Sequence, residues 1–493
     1  MKIKKNSKHS SIRKKQTKRK SRFLFLLSSF ILIFAIGLFI FNLKKNKSSS
    51  IDNTIKTISK SSEKVKNTAE IKEDEINEIS KIESTSLKSF FISAWYGPLS
   101  QDPVQNNIYF QAIRNAGFNN IIMDTYPTSS TNLNLELTAA QNNNISLMLH
   151  DPNISLTASS LSFSQSDYYK TVDTTYGNLI SDEPNYKNFK DLAKIKDQYL
   201  QNVPNKFFYV NLYPNYAAEN ILYGAQDPKE GTMKYEDYVR SFIKIVKPSV
   251  LSYDYYPFPS NGGVNTGYLQ NIQFMATEAK MKNLPLWITI QAIGNEGSLR
   301  QPNTEDIRWQ IFSSLAYGVQ GISYFSYGSP QAFGASMYGL IDSKRNQTPL
   351  YSAAKNVNTE IRSFEKVFLN YKWEGTLVYS PKTQTANTIT ENIAQLKGQI
   401  KSTPRIKSYS SDRSILIGTF KNDDNKYNKD AFMITNFEED NLSPANNLSI
   451  TLKNAKRALI YISGEKKIID LKEGKLNLTL EAGQGVYAVP LTY

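Results

Sequence analysis

The 493-residue sequence predicts an α/β protein whose central part alternates strands and helices. Three observations support this prediction: short apolar runs recur, amphipathic stretches separate them, and each run ends in polar or aromatic residues. The eight runs are Phe90–Tyr96, Asn120–Tyr126, Ile145–Asp151, Asn178–Glu183, Phe207–Tyr213, Val250–Tyr256, Leu286–Gln291 and Gly321–Tyr327. Eight strand–helix units in about 280 residues are the repeat of a (β/α)8, or TIM, barrel.

The helical stretches place apolar residues three and four positions apart. A helix is expected after Pro184, because proline cannot donate to a sheet ladder and the fourth strand stops there. Other helices are predicted near Ile108–Ala116, Tyr235–Val246, Gln270–Met281, Asp306–Tyr317 and Tyr351–Phe368. A doubly wound sheet is the alternative, but it rarely needs eight units, and no glycine-rich phosphate loop follows the first strand. We therefore assign residues 88–372 to a barrel.

After Trp373 the pattern changes to short alternating runs separated by Asn, Asp, Gly and Lys turns, which is typical of β-structure. The runs are Thr376–Tyr379, Ser414–Phe420, Phe432–Phe437, Leu448–Leu452, Arg457–Ile462, Lys475–Leu480 and Gly485–Pro490. Residues 373–493 are therefore predicted to form an accessory β-sandwich.

The N-terminal part predicts a membrane anchor. Residues 1–22 contain eleven Lys and Arg and no acid, and without them the net charge falls from +15 to about +4. Residues 23–43 carry no charge over 21 positions, enough to cross a bilayer of about 30 Å. A cleaved signal peptide is the alternative, but the apolar region of a signal peptide is shorter than residues 23–43. A signal peptide also has a small-residue cleavage site after that region, whereas here Lys44, Lys45 and Lys47 follow.

These features predict a single-pass protein of the cell membrane. The basic tail places the N-terminus in the cytoplasm and the later domains outside. Residues 44–87 are polar and contain no aromatic residue, which favours a flexible stalk. Because the basic charge belongs to the topology signal, nucleic acid is not expected as a partner.

Cysteine is absent and only His9 and His150 are present, which limits the chemistry. Disulfides, thiolate catalysis and a multi-histidine metal site are excluded. A serine hydrolase would have to use His150, and the chain contains no Gly-x-Ser-x-Gly elbow. We expect neither a metal nor a cofactor.

Polar and aromatic residues end every predicted strand. In a (β/α)8 barrel these ends share one face, where active sites lie. In strand order they are Trp95 and Tyr96, Asp124 and Tyr126, His150 and Asp151, Asp182 and Glu183, Asn211 and Tyr213, Asp254 and Tyr256, Gln291, and Tyr324 and Tyr327. Strand ends border loops and are often polar, but so many carboxylates and aromatic rings together favour a pocket.

Carboxylates beside aromatic rings are typical of glycoside hydrolysis, in which one carboxylic acid protonates the leaving oxygen and a second carboxylate acts as nucleophile or base. Glu183 is the candidate acid, because the charge of neighbouring Asp182 raises its pKa. A helix N-terminal acid is the structural alternative for Glu183. The aromatic residues would bind sugar rings, and the remaining strand-end residues would complete a carbohydrate site.

From Phe90 to Phe368 the chain resembles the clan of retaining (β/α)8 glycosidases, its β-galactosidase-like group. Asp182-Glu183 resembles the fourth-strand Asn-Glu of that clan, so the resemblance implies that Glu183 is the acid/base. Leu315-Ala-Tyr-Gly-Val-Gln-Gly-Ile-Ser-Tyr-Phe-Ser-Tyr327 resembles its eighth-strand region, and Leu251-Ser-Tyr-Asp-Tyr-Tyr-Pro257 its sixth strand.

The clan nucleophile is a seventh-strand glutamate, whereas Pro285-Leu-Trp-Ile-Thr-Ile-Gln291 ends in an amide. Three alternatives remain open. Asp254 is the second carboxylate, which we favour; Glu296 takes that role from its glycine-flanked loop; or the second carboxylate is missing and the protein binds glycans without cleaving them.

Overall fold

The computed structural model describes residues 89–123, 130–330, 333–334, 336–381, 399–422, 429–438 and 445–491. The predicted basic tail (1–22), transmembrane anchor (23–43) and stalk (44–87) lie outside these residues. Within the described ranges, no helix combines the length and the apolar character that crossing a membrane requires.

Strands and helices alternate between residues 91 and 368. The strands are β1 (Phe91–Ala94), β2 (Asn120–Met123), β3 (Ser146–Leu149), β4 (Thr175–Asp182), β5 (Phe207–Asn211), β6 (Leu251–Tyr255), β7 (Leu286–Gln291) and β8 (Gly321–Phe325). The helices are α1 (Pro103–Asn115), α2 (Ser130–Asn142), α3 (Phe189–Asn202), α4 (Glu219–Tyr223), α5 (Tyr235–Val246), α6 (Tyr268–Lys282), α7 (Thr304–Ala316) and α8 (Pro349–Phe368). Between β3 and β4 a 3-10 turn at Ser164–Tyr168 stands where the repeat predicts a helix.

The eight strands form two parallel sheets of four, in the orders β1-β8-β7-β6 and β2-β3-β4-β5. A parallel bridge between Trp95 and Ile122 joins one pair of sheet edges, and a bridge between Leu212 and Tyr253 joins the other. The strands therefore close into a ring whose carboxyl ends share one face. The predicted alternation of parallel strands and helices is confirmed.

Two apolar layers hold the ring together. The larger layer lies between the strands and the surrounding helices. It contains the outward-facing strand residues, such as Ile121 and Met123 of β2. The second fills the lumen, with Phe91, Trp95, Ile122, Met148, Leu179, Tyr209, Val250 and Trp287. Since strand residues alternate between the two faces, this division establishes which side chains can reach a site inside the ring.

The C-terminal region is antiparallel, as predicted. Its strands are β9 (Lys372–Tyr379), β10 (Ile406–Ser411), β11 (Ile415–Lys421), β12 (Asp430–Asn436), β13 (Asn446–Leu452), β14 (Arg457–Ile462), β15 (Glu465–Asp470), β16 (Lys475–Leu480) and β17 (Gly485–Leu491). They form a six-stranded sheet, β15-β14-β17-β12-β11-β9, and a three-stranded sheet, β10-β13-β16, with an apolar core of their own.

The six-stranded sheet packs directly on the barrel helix α7. Thr435 Oγ1 donates to the backbone oxygen of Phe312 at 3.2 Å, and Thr376 Oγ1 donates to that of Ala316 at 2.8 Å. A Cβ atom at Gly418 would lie 2.1 Å from the same Ala316 oxygen, so this contact requires glycine. The barrel and the β-region thus share a close interface on the side of α7.

Candidate active site

A single amide joins two acidic strand ends. Asp182 of β4 pairs in register with Asn211 of β5. Asn211 Nδ2 donates to Asp182 Oδ1 at 3.1 Å and to Asp254 Oδ1 on β6 at 3.0 Å. The two carboxylates therefore lie within two hydrogen-bond lengths of each other, although they are 72 positions apart in the sequence.

The lumen fixes the orientation of this amide. Asn211 Oδ1 accepts from Ser252 Oγ at 3.2 Å, and Ser252 Oγ is 3.0 Å from the Tyr209 hydroxyl. Only the NH2 end of an amide can donate, and ionised carboxylates only accept, so this end must face Asp182 and Asp254. Ser252 then donates to the amide oxygen, and Tyr209 donates to Ser252. Three adjacent lumen residues thus form one directed chain of hydrogen bonds.

Glu183 follows directly and leaves the strand with a left-handed backbone, at φ 47°. Its backbone N–H donates to the Asn211 oxygen at 2.8 Å, so β5 holds the turn in place. A left-handed conformation costs a non-glycine residue about 1–2 kcal/mol, and such residues concentrate at functional sites. Tyr96, at the end of β1, has φ 61° and borders the same face of the ring.

The environment of the cluster raises the pKa values of Glu183 and Asp254. Partial burial and then the charge of Asp182 raise the pKa of Glu183 to about 8. Asp254 is 3% exposed, and its burial, followed by the charges of Glu183 and Asp182, raises its pKa well above the usual range. The hydrogen bond from Asn211 acts in the opposite direction. Glu183 and Asp254 therefore titrate as an interacting pair, in which the charge of one favours the proton on the other.

Three tyrosines surround this pair. Burial and the charges of Glu183, Asp182 and Asp254 raise the pKa of Tyr213 to about 12. Burial also raises the pKa values of Tyr216 and Tyr256, with Asp254 the largest charge acting on each. The Tyr256 backbone N–H donates to the Tyr216 hydroxyl at 3.4 Å. All three phenols remain neutral hydrogen-bonding groups at the edge of the acidic cluster.

An aromatic wall continues from this cluster and centres on Phe325 of β8. Its ring lies 5.4 Å from Tyr256, 5.6 Å from Tyr96 and 6.2 Å from Trp95, measured between centroids. Trp95 is 2% exposed, and its indole N–H has no hydrogen-bond partner within the described part of the chain. The predicted aromatic residues Trp95, Tyr96 and Tyr256 are thus brought together.

The structure does not bring Tyr324 and Tyr327 to this wall. Tyr324 alternates with Phe325 and faces outward, where its hydroxyl donates to Asn358 of α8 at 2.7 Å. Tyr327 packs edge-on against Phe118 at 6.0 Å, within the layer between strands and helices. Side chains along a strand alternate between its two faces, so Phe325 occupies the lumen position next to the outward-facing Tyr324.

The side chain of Gln291 makes its hydrogen bonds to backbone atoms of neighbouring loops. Its Oε1 accepts from Phe258 N at 3.0 Å, and its Nε2 donates to Arg300 O at 2.9 Å. It is 1% exposed and joins the loops after β6 and β7. Glu296 is exposed, and its carboxylate accepts from Ser336 Oγ at 2.6 Å, which lowers its pKa. Neither residue contacts the Asn211 amide that joins the acids.

The third strand supplies a supporting carboxylate. Asp151 is buried and accepts from Asn153 N and from the Tyr169 hydroxyl, both at 2.9 Å. These bonds hold the loop after β3, and the half-buried His150 precedes them at the carboxyl end of that strand. The predicted site residues Asp124 and Tyr126 lie outside the described residues.

Four side chains of the site escaped the sequence prediction: Tyr209, Ser252, Tyr216 and Phe325. Tyr209 lies two residues before Asn211 on β5, and Ser252 lies two residues before Asp254 on β6. Each therefore points into the lumen, on the same side of its strand as the predicted residue. This two-residue spacing in the sequence could have identified Tyr209 and Ser252 as site residues. Among the described residues, no group of three acidic or histidine side chains is arranged to hold a metal ion.

No family model and no curated protein matches the chain. Similar solved structures include a β-galactosidase from Halorubrum lacusprofundi, with 9% identity over 82% of this chain and 99% of that one and a TM-score of 0.40. An Anoxybacillus α-amylase is 8% identical over 82% of this chain and 98% of that one, with a TM-score of 0.38.

A β-galactosidase from the psychrophilic Marinomonas ef1 is also similar, with 9% identity and a TM-score of 0.38. It covers 56% of this chain, which spans 60% of its length.

Proposed function

We propose that this protein is a glycoside hydrolase that cleaves O-glycosidic bonds of a surface or environmental glycan. The observation that carries the proposal is the Glu183–Asp254 pair, two interacting carboxyls with raised pKa values beside an aromatic wall at the carboxyl end of a (β/α)8 ring. Most glycoside hydrolases cleave the acetal with one protonated and one ionised carboxyl at a common site.

Glu183 is assigned as the general acid. With a pKa of about 8 its carboxyl is protonated at neutral pH. It protonates the glycosidic oxygen as the bond from that oxygen to the anomeric carbon breaks, and the leaving sugar departs as an alcohol. The left-handed turn at Glu183 presents the acid at the rim of the ring, next to the phenols of Tyr213 and Tyr256.

Asp254 is assigned as the second carboxylate. Its ionised form either attacks the anomeric carbon or removes a proton from the attacking water, and the anomeric configuration of the product distinguishes these routes. The bond from Asn211 favours the ionised form. Asp182 contributes the charge that raises the pKa of Glu183.

The proposed activity is tested by incubating the full chain with a panel of plant, host and bacterial-surface polysaccharides and measuring new reducing ends. Glu183→Gln is expected to lower kcat/KM on a cleaved glycan by about 10²–10⁴, the usual contribution of a general acid. Activity of the unsubstituted chain should fall as pH rises through about 8, where the acid loses its proton.

Glu136→Gln is a matched control. Glu136 lies on α2, is 3% exposed and also has a pKa raised to about 8 by burial. Its substitution should leave kcat/KM and the alkaline limb unchanged. Equal turnover by Glu183→Gln and the unsubstituted chain would remove Glu183 from the mechanism.

Gln291 favours a second candidate, a surface protein that binds glycans without cleaving them. An amide stands where the glycosidases that the sequence resembles carry their nucleophile, and it is bonded to backbone. Saturable binding of a glycan by the full chain, with no new reducing ends over long incubation, would support this candidate and contradict hydrolysis.

We further propose that residues 23–43 anchor the protein in the cell membrane with the barrel outside. The uncharged stretch of 21 residues and the eleven basic residues before it support this proposal. Membrane fractionation and protease treatment of intact cells test it. Release of the full chain by carbonate washing, or its protection from external protease, would contradict it.

A further inference from the structure

The acidic cluster contains one amide that contacts two of its three carboxyls. Asn211 donates to Asp182 and Asp254, whereas its contact with Glu183 is through the backbone only. A hydrogen bond donated to a carboxylate favours the charged form of that carboxylate. The amide therefore acts unequally on the Glu183–Asp254 pair, because it stabilises the charge on Asp254.

The amide cannot reverse this preference by turning over. Its oxygen accepts from Ser252 Oγ, which lies 3.0 Å from the Tyr209 hydroxyl. Turning the amide would place its oxygen against two carboxylates and its NH2 group against a hydroxyl that already has a donor. Tyr209 and Ser252 are buried in the lumen, so they hold the amide from the side opposite the acids.

Apart from the Asn211 amide, no other side chain around Asp254 stabilises its negative charge among the groups that interact with it in the described residues. Two carboxyls act on its charge, and its own charge acts on several neutral phenols, from β5 and the loop after it, α5, and β6 and its loop. They are Asp182, Glu183, Tyr209, Tyr213, Tyr216, Tyr235, Tyr253 and Tyr256. No Lys or Arg belongs to this set of described residues, so the amide is its main counterweight to burial.

We propose that Asn211 is a positioning residue that directs the shared proton of the Glu183–Asp254 pair to Glu183, and that Ser252 and Tyr209 keep it in the orientation that does so. The inference rests on the proposed function for its importance. Its chemistry concerns protonation alone and can be measured without a substrate. In catalytic terms, the amide determines which carboxyl is the acid and which is the base or nucleophile.

The proposal is tested by measuring how the free energy of unfolding of the protein depends on pH. A carboxyl whose folded pKa is raised contributes stability that is present below its unfolded pKa, near 4.3 for Glu, and lost as pH rises through its folded pKa. Urea midpoints of the full chain are measured at about pH 5.5 and about pH 8.5. Glu183→Gln and Asp254→Asn are each made in the unsubstituted background and in an Asn211→Leu background.

In Glu183→Gln the remaining pH-dependent loss of stability belongs to Asp254, and adding Asn211→Leu should enlarge this loss between the two pH values, because Asp254 then lacks the hydrogen bond that favours its charge. In Asp254→Asn the remaining loss belongs to Glu183, which the side-chain amide of Asn211 does not contact, and adding Asn211→Leu should leave this loss nearly unchanged. The expected change in apparent pKa is about one unit or more, the size of a lost hydrogen bond to a charged group. The proposal is overturned if Asn211→Leu changes the loss equally in Glu183→Gln and in Asp254→Asn.

Two further variants keep the test decisive. Ser252→Ala leaves Asn211 in place but frees its orientation, and should shift the pH response in the same direction as Asn211→Leu, by less. Asn178→Leu is the matched control: Asn178 is a buried amide of β4 that bonds the Tyr169 and Tyr199 hydroxyls. Its substitution should destabilise the chain equally at both pH values. A pH-dependent effect at Asn178, or none at Ser252, contradicts the assignment.

These measurements also separate the two proposals. If no glycan is cleaved but the proton still moves between Glu183 and Asp254 on substitution of Asn211, the positioning role stands and hydrolysis fails. If a glycan is cleaved and the proton does not move, hydrolysis stands and the positioning role fails.

Discussion

The two ends of the barrel lumen are filled by different kinds of side chain. At the amino end the side chains are aromatic and packed: Phe91 stacks on Trp287 with centroids 3.9 Å apart, and Phe207 stacks on the same indole at 5.1 Å. A Cβ atom at Gly321 would lie 2.5 Å from the Trp287 ring, so even a methyl group has no space there. This end closes the ring with apolar surface.

At the carboxyl end the lumen holds acids in place of rings. Asp254 is buried beside two other carboxyls, and Glu183 has an unfavourable backbone conformation. Each of these features lowers stability. The difference indicates that packing at the amino end stabilises the ring, whereas the carboxyl end, where active sites of such barrels lie, keeps groups that lower stability.

The largest expected effect is at the packed end. Trp287→Ala should lower the free energy of unfolding by about 3–5 kcal/mol, the usual cost of removing a large aromatic side chain from a core. Phe325→Ala, at the carboxyl end, should cost only about 1–2 kcal/mol because Phe325 is partly exposed, and under the proposed function it should raise KM for a cleaved glycan. Urea unfolding and steady-state kinetics measure both. Equal stability losses would show that the two ends contribute alike.

A second contrast concerns two buried aspartates, of which only one has a cation. Asp306 bonds Arg300 through both oxygens, at 2.6 and 2.8 Å, and caps α7. Asp254 faces other acids. Asp254→Asn should therefore stabilise the fold by about 0.5–2 kcal/mol near pH 8 while abolishing turnover. Asp306→Asn should destabilise it by about 1.5–3 kcal/mol, since a hydrogen bond to a charged group is lost.

The sign for Asp254 follows from its raised pKa. Its ionised form is the one that folding disfavours, so the gain from asparagine should be small near pH 4 and should grow as pH rises. Thermal or urea unfolding at several pH values measures this trend. A gain that is constant with pH would indicate packing as its cause and would contradict the electrostatic explanation.

Periodicity in the sequence was sufficient to predict most of the elements. The predicted helix Tyr235–Val246 coincides with α5, because its apolar residues recur every three or four positions and all face the core. The strand β15 was missed because Glu465-Lys-Lys-Ile-Ile-Asp470 is mostly charged and pairs at the sheet edge, where alternation is not required. β10 was missed for a similar reason, since Ile406–Ser411 contains little apolar sequence.

For the site, the sequence predicted which strand ends carry acids but not how they are connected. Asp182, Glu183 and Asp254 follow from reading strand ends alone. That one Asn211 amide joins two of them depends on the register between β4 and β5, which shifts between Leu179 and Ser181. The position of Gln291 could not be predicted either, because its partners are backbone atoms of two loops.

The smallest expected effect concerns the strained backbone at Glu183. Replacing Glu183 by glycine or by glutamine removes the carboxyl in both cases, but only glycine adopts φ 47° without a steric cost. Glu183→Gly should therefore be more stable than Glu183→Gln by about 1 kcal/mol. The control is Glu473, an exposed glutamate with φ 54° in the turn before β16, where the same pair of variants should differ by a similar amount without changing activity. If glycine stabilises at Glu473 but not at Glu183, the left-handed turn at Glu183 has little steric cost, and the carboxyl end of the lumen is less costly than its geometry indicates.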